Sequence, residues 1–177
     1  MSYILTYRKI EFYPLEPNVE DIDIVDIAHA LSLLCRANGH FKHFYSVAQH
    51  CLNCAKEAKA RKYSNRVILG CLLHDGSEAY LADITRPVKK HLHKYLEIED
   101  VLQGMIFEKW IPTLTKEELK LIFEIDDAIL YHEFIELFGE TIFDKEPTIL
   151  SNPDFELVDF YTVESEFIKL FNELTQK

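Results

Sequence analysis

Apolar residues recur at helical spacing through most of the chain, and this pattern predicts a domain built mainly of helices. The predicted helices cover residues 24–37, 47–61, 64–75, 94–109, 116–139 and 162–174, with a further short helix starting near Pro87. Residues 3–15 differ, because they are rich in β-branched and aromatic residues and are followed by Pro17, which predicts a short strand or hairpin. The pattern therefore predicts a single domain over residues 1–177, an all-α bundle of about six to eight helices with a minor N-terminal β element.

The charge of the chain limits the partners that it can bind. The 177 residues carry a formal net charge of −11 at pH 7. A protein that follows a nucleic-acid backbone needs Lys and Arg to replace the counterions, so a nucleic-acid polymer is not expected as a partner. A small anionic substrate remains compatible, because a metal ion and a few basic side chains can dominate one pocket.

Neither targeting nor membrane insertion is indicated by the sequence. Residues 1–14 mix charged and aromatic residues with apolar ones, unlike a signal peptide, and no apolar run is long enough to span a bilayer. We therefore expect a cytoplasmic protein whose four cysteines are reduced. Cys51 and Cys54 have the spacing of a zinc or redox pair, but their place in a helical pattern puts both sulfurs on a core face, so we interpret them as structural.

Polar residues interrupt the apolar pattern most sharply at His74 and Asp75, which end the run that begins at Val67. Successive residues of a helix are about 100° apart, so Glu78 would share a face with this pair. Charged groups at the end of a buried helix are costly unless a hydrogen-bond partner or a divalent cation neutralises them. The local sequence leaves both interpretations open.

Two further polar residues lie on or beside apolar helix faces. His50 borders the apolar stripe of its predicted helix, as either a core imidazole or a ligand. Asp126 and Asp127 are adjacent, and Asp126 shares its face with Ile122, Ile125 and other apolar residues. We therefore expect Asp126 to point inward and Asp127 to face solvent.

Together, these candidates make a mixed nitrogen and oxygen donor set on three helices. Such a set of two imidazoles and two carboxylates suits Mn²⁺, Fe²⁺, Co²⁺, Ni²⁺ or Zn²⁺ better than Ca²⁺. The ordered pattern H…HD…D, with the motifs at residues 26–40, 44–50, 72–83, 86–89 and 125–134, resembles the HD-domain metal-dependent phosphohydrolases. More narrowly, it resembles their short bacterial and phage branch, which includes 5′-deoxynucleotidases and small deoxynucleoside triphosphate (dNTP) triphosphohydrolases.

The resemblance implies a role for each candidate residue. It implies one divalent transition metal ion, or Mg²⁺, held by His50, His74, Asp75 and Asp126. It also implies phosphate binding by Arg36 and Lys89, and catalytic work by Glu78 and Asp83, whose division of labour stays open. Read without the resemblance, Lys89 is either a solvated surface charge or a phosphate contact.

The expected reaction is hydrolysis of phosphate from a small nucleotide by attack of a metal-bound water. Deoxynucleoside 5′-monophosphates are the first expectation. A dNTP triphosphohydrolase and a non-catalytic nucleotide-sensing HD module are the alternatives. Relatives often carry a bulky aromatic residue directly after the arginine, whereas Ala37 stands here, so sugar selectivity is left open. Exposed apolar residues in the 94–110 segment and in the last helix suggest a homo-oligomer.

Overall fold

A computed structural model describes residues 2–141 and 144–175 of the chain. The helices within these ranges are α1 Ile24–Leu33, α2 Val47–Ala60, α3 Asn65–Leu73, α4 Glu78–Leu81, α5 Arg86–Lys89, α6 His93–Trp110, α7 Lys116–Phe138 and α8 Phe160–Thr175. Strands β1 Ile4–Leu5 and β2 Glu11–Phe12 pair antiparallel, with Ile4 opposite Phe12. The predicted all-α bundle with a small N-terminal β element is therefore confirmed.

Three helices form the centre of the bundle and carry most of the candidate site. Helix α2 packs on α3, and α7 packs on both of them, while α8 closes the other side against α1, α2 and α3. The apolar stripes that meet there are fully buried, as Leu31, Leu72, Ile125 and Phe167 show. Burial of each such side chain contributes about 1.5–3 kcal/mol. This packing makes the helices a rigid support for the polar residues that they bring together.

Side-chain caps determine where α1, α2, α3 and α7 begin. Asp23, Ser46, Ser64 and Thr115 each precede a helix and accept a hydrogen bond from a backbone N–H of its first turn. Each cap satisfies a donor that would otherwise lack a partner and contributes about 0.5–2 kcal/mol. Because a cap fixes the first turn, it also fixes which residues of the helix face the core.

The first helix ends earlier than its apolar pattern predicts. We predicted a helix over residues 24–37, but α1 ends at Leu33 and Leu34 is extended. A short antiparallel bridge causes this, because Val47 donates to the Leu34 carbonyl and Arg36 donates to the Tyr45 carbonyl, each at 2.9 Å. Arg36 therefore does not share a helix face with the α1 residues. It begins a tight turn, Arg36–Gly39, in which Ala37 and Asn38 have left-handed backbone conformations. The Arg36 side chain reaches Asp75, just after α3, and Glu133, near the C-terminal end of α7.

The chain also leaves the helical path between α3 and α4. Helix α3 ends at Leu73, and turn residues 74–77 connect it to the short helix α4, so Glu78 is not on one continuous helix with His74. The two residues still reach the same cavity. In the described part of the chain, none of the helices combines the length and the apolar character that crossing a bilayer requires.

Candidate active site

Two imidazoles and two carboxylates converge where α2, α3 and α7 meet. His50 lies one turn into α2, His74 and Asp75 directly follow α3, and Asp126 lies in the middle of α7. The Nε2 atoms of His50 and His74 are 3.2 Å apart. Oδ1 of Asp126 lies 3.1 Å from Nε2 of His50 and 3.7 Å from Nε2 of His74. Oδ2 of Asp75 lies 3.3 Å from Nε2 of His74 and 3.8 Å from Nε2 of His50.

These separations and the remaining hydrogen bonds of the imidazoles fit a divalent ion. Ligand atoms about 2.0–2.2 Å from one ion lie roughly 3–3.5 Å from their neighbours, close to the distances found here. Nδ1 of His74 is 2.8 Å from the Cys71 carbonyl, and Nδ1 of His50 is 2.6 Å from Oε1 of Glu133. Since each acceptor holds a proton on Nδ1, both Nε2 lone pairs are free to face the shared point.

Two thiols lie close enough to offer alternative ligand sets. Sγ of Cys54 is 3.5 Å from Nε2 of His50, and Sγ of Cys51 is 3.9 Å from Nδ1 of His74. Burial raises the pKa of the Cys51 thiol to about 11 and that of the Cys54 thiol well above its usual range. Cys51 faces the histidine nitrogen that carries the proton, and a buried thiol must lose its own proton before it can bind an ion, so the two carboxylates are favoured as the ligands that complete the set.

The electrostatics of the cluster show how strongly its charges depend on one another. Burial opposes a charge on His74, but Asp75 and Asp126 outweigh that effect and raise the pKa of the imidazole well above its ordinary value of 6.5. Burial likewise opposes a charge on Asp126, yet the bonds to His50 and His74 hold the pKa of this carboxyl well below its usual range. Protons and a metal ion therefore compete for the same stabilising carboxylates.

A buried arginine borders the cluster on one side. Nη1 of Arg36 is 3.3 Å from Oδ2 of Asp75, and its side chain is only 11% exposed. Nη2 of the same guanidinium is 3.4 Å from Oε2 of Glu133, which is fully buried in α7. Glu133 was not assigned a role from the sequence. The sequence pattern does indicate that this glutamate is buried and has a partner. It lies seven residues after Asp126 on the apolar face of the helix, where an acidic residue needs a partner.

The predicted acidic and basic residues on the opposite side also reach the cavity. Nζ of Lys89 is 3.4 Å from Oε1 of Glu78 and 2.7 Å from Oε1 of Glu99. Oε2 of Glu78 is buried without a hydrogen-bond partner among the described residues. Burial and the charges of Asp75 and Asp83 raise the pKa of Glu78 well above its usual range, and burial also raises the pKa of Asp83. These shifts favour the protonated form of both carboxyl groups.

Most of the candidate site residues line one cavity of about 610 Å³. Its polar lining includes Arg36, His74, Asp75, Glu78, Asp83, Lys89 and Asp126, which we call the floor of the cavity. Its apolar wall includes Ala37, Phe41, Phe107, Phe123, Leu130 and Phe134. His50 lies behind this floor and is fully buried. The arrangement places a candidate metal centre and two cations at the base of an apolar pocket.

Arg86 is a second residue whose role the sequence did not reveal. Its Nη2 donates to Oδ2 of Asp126 at 2.8 Å, and its Nη1 donates to Oδ1 of Asp127 at 2.7 Å. The side chain is 56% exposed and lines the cavity, so it lies at the rim rather than on the floor. It was part of the motif at residues 86–89, but no spacing rule distinguished it from a surface arginine.

The bundle and its converging H…HD…D residues define a helical protein with a candidate divalent-metal centre. The model of the HD domain family matches residues 35–141, so the chain belongs to the HD-domain family. This range contains every residue of the candidate site. Members of this family are generally hydrolases and bind divalent metals.

Two relatives also resemble the chain. The uncharacterized protein YfdR of Escherichia coli (strain K12) is 40% identical over 110 residues, which cover 62% of this chain and 59% of that protein. The uncharacterized protein RCAP_rcc00048 of Rhodobacter capsulatus is 33% identical over 165 residues, which cover 88% of this chain and 81% of that protein. This chain therefore spans less than two thirds of the first relative and most of the second.

Proposed function

We propose that the chain is a metal-dependent phosphohydrolase of small nucleotides, with deoxynucleoside 5′-monophosphates as its first substrate class. One observation carries the proposal. One carboxylate oxygen of Asp75 and one of Asp126 each lie within 4 Å of the Nε2 atoms of both His50 and His74. The buried guanidinium of Arg36 contacts Asp75. A cation site with an adjoining arginine is suited to a phosphate, whose charge both can neutralise.

The shape of the cavity supports a nucleotide rather than a bare phosphate. Its volume of about 610 Å³ is ample for a small organic ligand. The apolar wall, which includes Phe41, Leu130 and Phe134, offers an environment for a nucleobase. Ala37, directly after the arginine, lines the cavity with a small side chain that leaves room beside Arg36.

The residues of the cavity have separate tasks in this proposal. A divalent ion, when bound, lowers the pKa of a water ligand and offsets the charge of the phosphoryl oxygens. Arg36 and Lys89 bind the phosphate and stabilise the charge that develops on it. Glu78 and Asp83 hold or accept the proton that hydrolysis moves, and Oε2 of Glu78 is available for this because no described residue bonds to it.

One observation favours a second substrate class. Arg86 lines the same cavity as Arg36 and Lys89 and is 56% exposed, so it could provide a third cation for a longer phosphate chain. Release from Asp126 and Asp127 would free its guanidinium for such a chain. A dNTP triphosphohydrolase is therefore the second candidate, and a nucleotide-sensing module without turnover is the outcome if neither class is hydrolysed.

We also propose that the chain acts in the cytoplasm and self-associates, without a nucleic-acid polymer or a membrane as partner. Val101 on α6 is 57% exposed and Tyr161 on α8 is 70% exposed, so both are available to a second copy. Light scattering during size-exclusion chromatography gives the mass directly. A monomeric mass at micromolar concentration would contradict self-association.

The experiment that tests the function is a product screen on the purified protein. Ribo- and deoxynucleoside mono- and triphosphates are incubated with Mn²⁺, Co²⁺ or Mg²⁺, and the products are separated by chromatography, with the His74→Ala variant as the inactive control. Phosphate and nucleoside from deoxynucleoside monophosphates are the expected result. Nucleoside with triphosphate, or with pyrophosphate and phosphate, from dNTPs would support the second candidate. No product from any nucleotide, with metal demonstrably bound, would overturn the proposed hydrolase.

A further inference from the structure

Glu133 lies at the centre of a buried hydrogen-bond network behind the candidate metal centre. The side chain is fully buried in α7. Its Oε1 accepts from Nδ1 of His50 at 2.6 Å and from the Tyr45 hydroxyl at 2.9 Å, while its Oε2 faces Nη2 of Arg36 at 3.4 Å. Asn53 supports the network by donating to the Tyr45 hydroxyl at 2.9 Å. Both carboxylate oxygens are therefore occupied by fixed partners.

This network contacts the two functional parts of the cavity from behind. On one side, the bond to Nδ1 fixes the ring of His50, so that Nε2 points at His74 and Asp126, from which it is 3.2 and 3.1 Å away. On the other side, the same carboxylate contacts the guanidinium whose Nη1 is 3.3 Å from Asp75. A carboxylate is suited to both tasks, because it only accepts hydrogen bonds and carries the charge that offsets a buried arginine.

We propose that Glu133 is a positioning residue that sets the tautomer and orientation of His50 for metal binding and holds Arg36 for phosphate binding. The inference rests on the metal centre of the proposed function. It adds a residue that contacts neither the ion nor the substrate. Carboxylate partners of this kind orient a ligating histidine and increase its basicity, and their loss typically costs about 10- to 100-fold in metal affinity.

A change to glutamine tests the inference, because it keeps the size of the side chain and removes the charge. An amide has one accepting oxygen and one donating nitrogen, so in Glu133→Gln the NH₂ group must face either Arg36 or the two donors His50 and Tyr45. We expect the dissociation constant for Co²⁺ or Zn²⁺, measured by competition with a chelator, to rise about 10- to 100-fold. We also expect the absorption spectrum of bound Co²⁺ to change.

Glu57 provides a matched control on α2. It is also a fully buried glutamate, and it accepts hydrogen bonds from Arg61, Leu150 and Ser151 and from none of the metal-facing residues. We expect Glu57→Gln to lower thermal stability while leaving the metal affinity and the Co²⁺ spectrum unchanged. Equal losses of metal affinity in the two variants, or an unchanged affinity in Glu133→Gln, would overturn the inference.

A measurement on the unchanged protein avoids any dependence on how the variants fold. Long-range proton–nitrogen correlation spectra of the Zn²⁺-loaded protein report which nitrogen of His50 carries the proton. The inference requires a protonated Nδ1 and a metal-bound Nε2, and a protonated Nε2 would contradict it. Neither readout depends on turnover, so the inference can succeed or fail whatever the nucleotide screen shows.

Discussion

At the residue scale, two neighbouring aspartates of α7 have opposite environments. The side chain of Asp126 is 15% exposed and faces both imidazoles, whereas that of Asp127 is 56% exposed. We expect Asp126→Asn to remove a metal ligand and to lower kcat/KM by more than about 100-fold, beyond the usual cost of losing a residue that only supports a ligand. Asp127→Asn loses only a contact with the exposed Arg86, worth about 0–1 kcal/mol, so it should retain most activity.

The measurement for this pair is kcat/KM together with the metal content per chain. Helical periodicity distinguishes the two aspartates in advance, and the structure agrees on which of them faces inward. The same periodicity puts Glu133 on the inner face of α7 but does not identify its partner, because His50 lies 83 residues away in the sequence. Equal losses in both variants would mean that the position on the helix does not determine the role.

At the scale of elements, the site depends on how closely α3 approaches α7. A Cβ atom at Gly70 of α3 would lie 2.3 Å from Cδ1 of Ile122, a buried residue of α7. We expect Gly70→Ala to lower the free energy of unfolding by about 0.5–2 kcal/mol, because the cost of overpacking exceeds the gain in helix propensity. Urea denaturation measures this change.

Gly104 of α6 supplies the control for that substitution. A Cβ atom there would meet nothing within 4 Å, so Gly104→Ala should stabilise the protein by about 0.4–1 kcal/mol. Adding Ile122→Val to Gly70→Ala removes the crowded methyl group and should recover part of the loss. A stabilising Gly70→Ala would contradict this prediction and would show that the Cδ1 methyl group of Ile122 moves aside at little cost.

Element positions were predictable from the sequence to different degrees. The start of α2 was predicted because its cap, Ser46, is local. The predicted end of α1 was wrong. Leu34 continues the apolar stripe, and only its pairing with Val47 stops the helix. That pairing joins two segments through a turn with positive φ at Ala37, Asn38 and Gly39, a conformation that no periodicity rule anticipates at an alanine. The position of Arg36 therefore required the structure.

At the scale of the whole molecule, the titration of the site links its charge to the stability of the fold. Without a metal, the raised pKa of His74 means that the protonated imidazole contributes stability that is fully present below its ordinary pKa of 6.5. That contribution to stability is lost as the pH rises through the raised pKa of His74 in the folded protein. Glu78, whose pKa is also raised, changes stability in the same direction. The depressed pKa of Asp126 acts in the opposite direction. The stability that its carboxylate contributes is lost only as the pH falls below about 3.8.

A bound divalent ion should remove this loss of stability. It supplies positive charge whatever the pH, and neutral imidazoles are the form that it binds. We therefore expect the gap in Tm between the metal-loaded and the chelator-treated protein to widen from pH 6.5 to pH 8.5. With the free metal concentration fixed at 100 times the Kd for pH 8.5, the gap in Tm at that pH should reach roughly 5–10 °C, since the ion then adds about 2.7 kcal/mol. Thermal melts across this pH range measure it, with Asp126→Asn as the variant in which the chelator should have little effect. A gap that stays constant or narrows would mean that the two histidines do not exchange protons for the ion, and that the metal binds elsewhere in the chain.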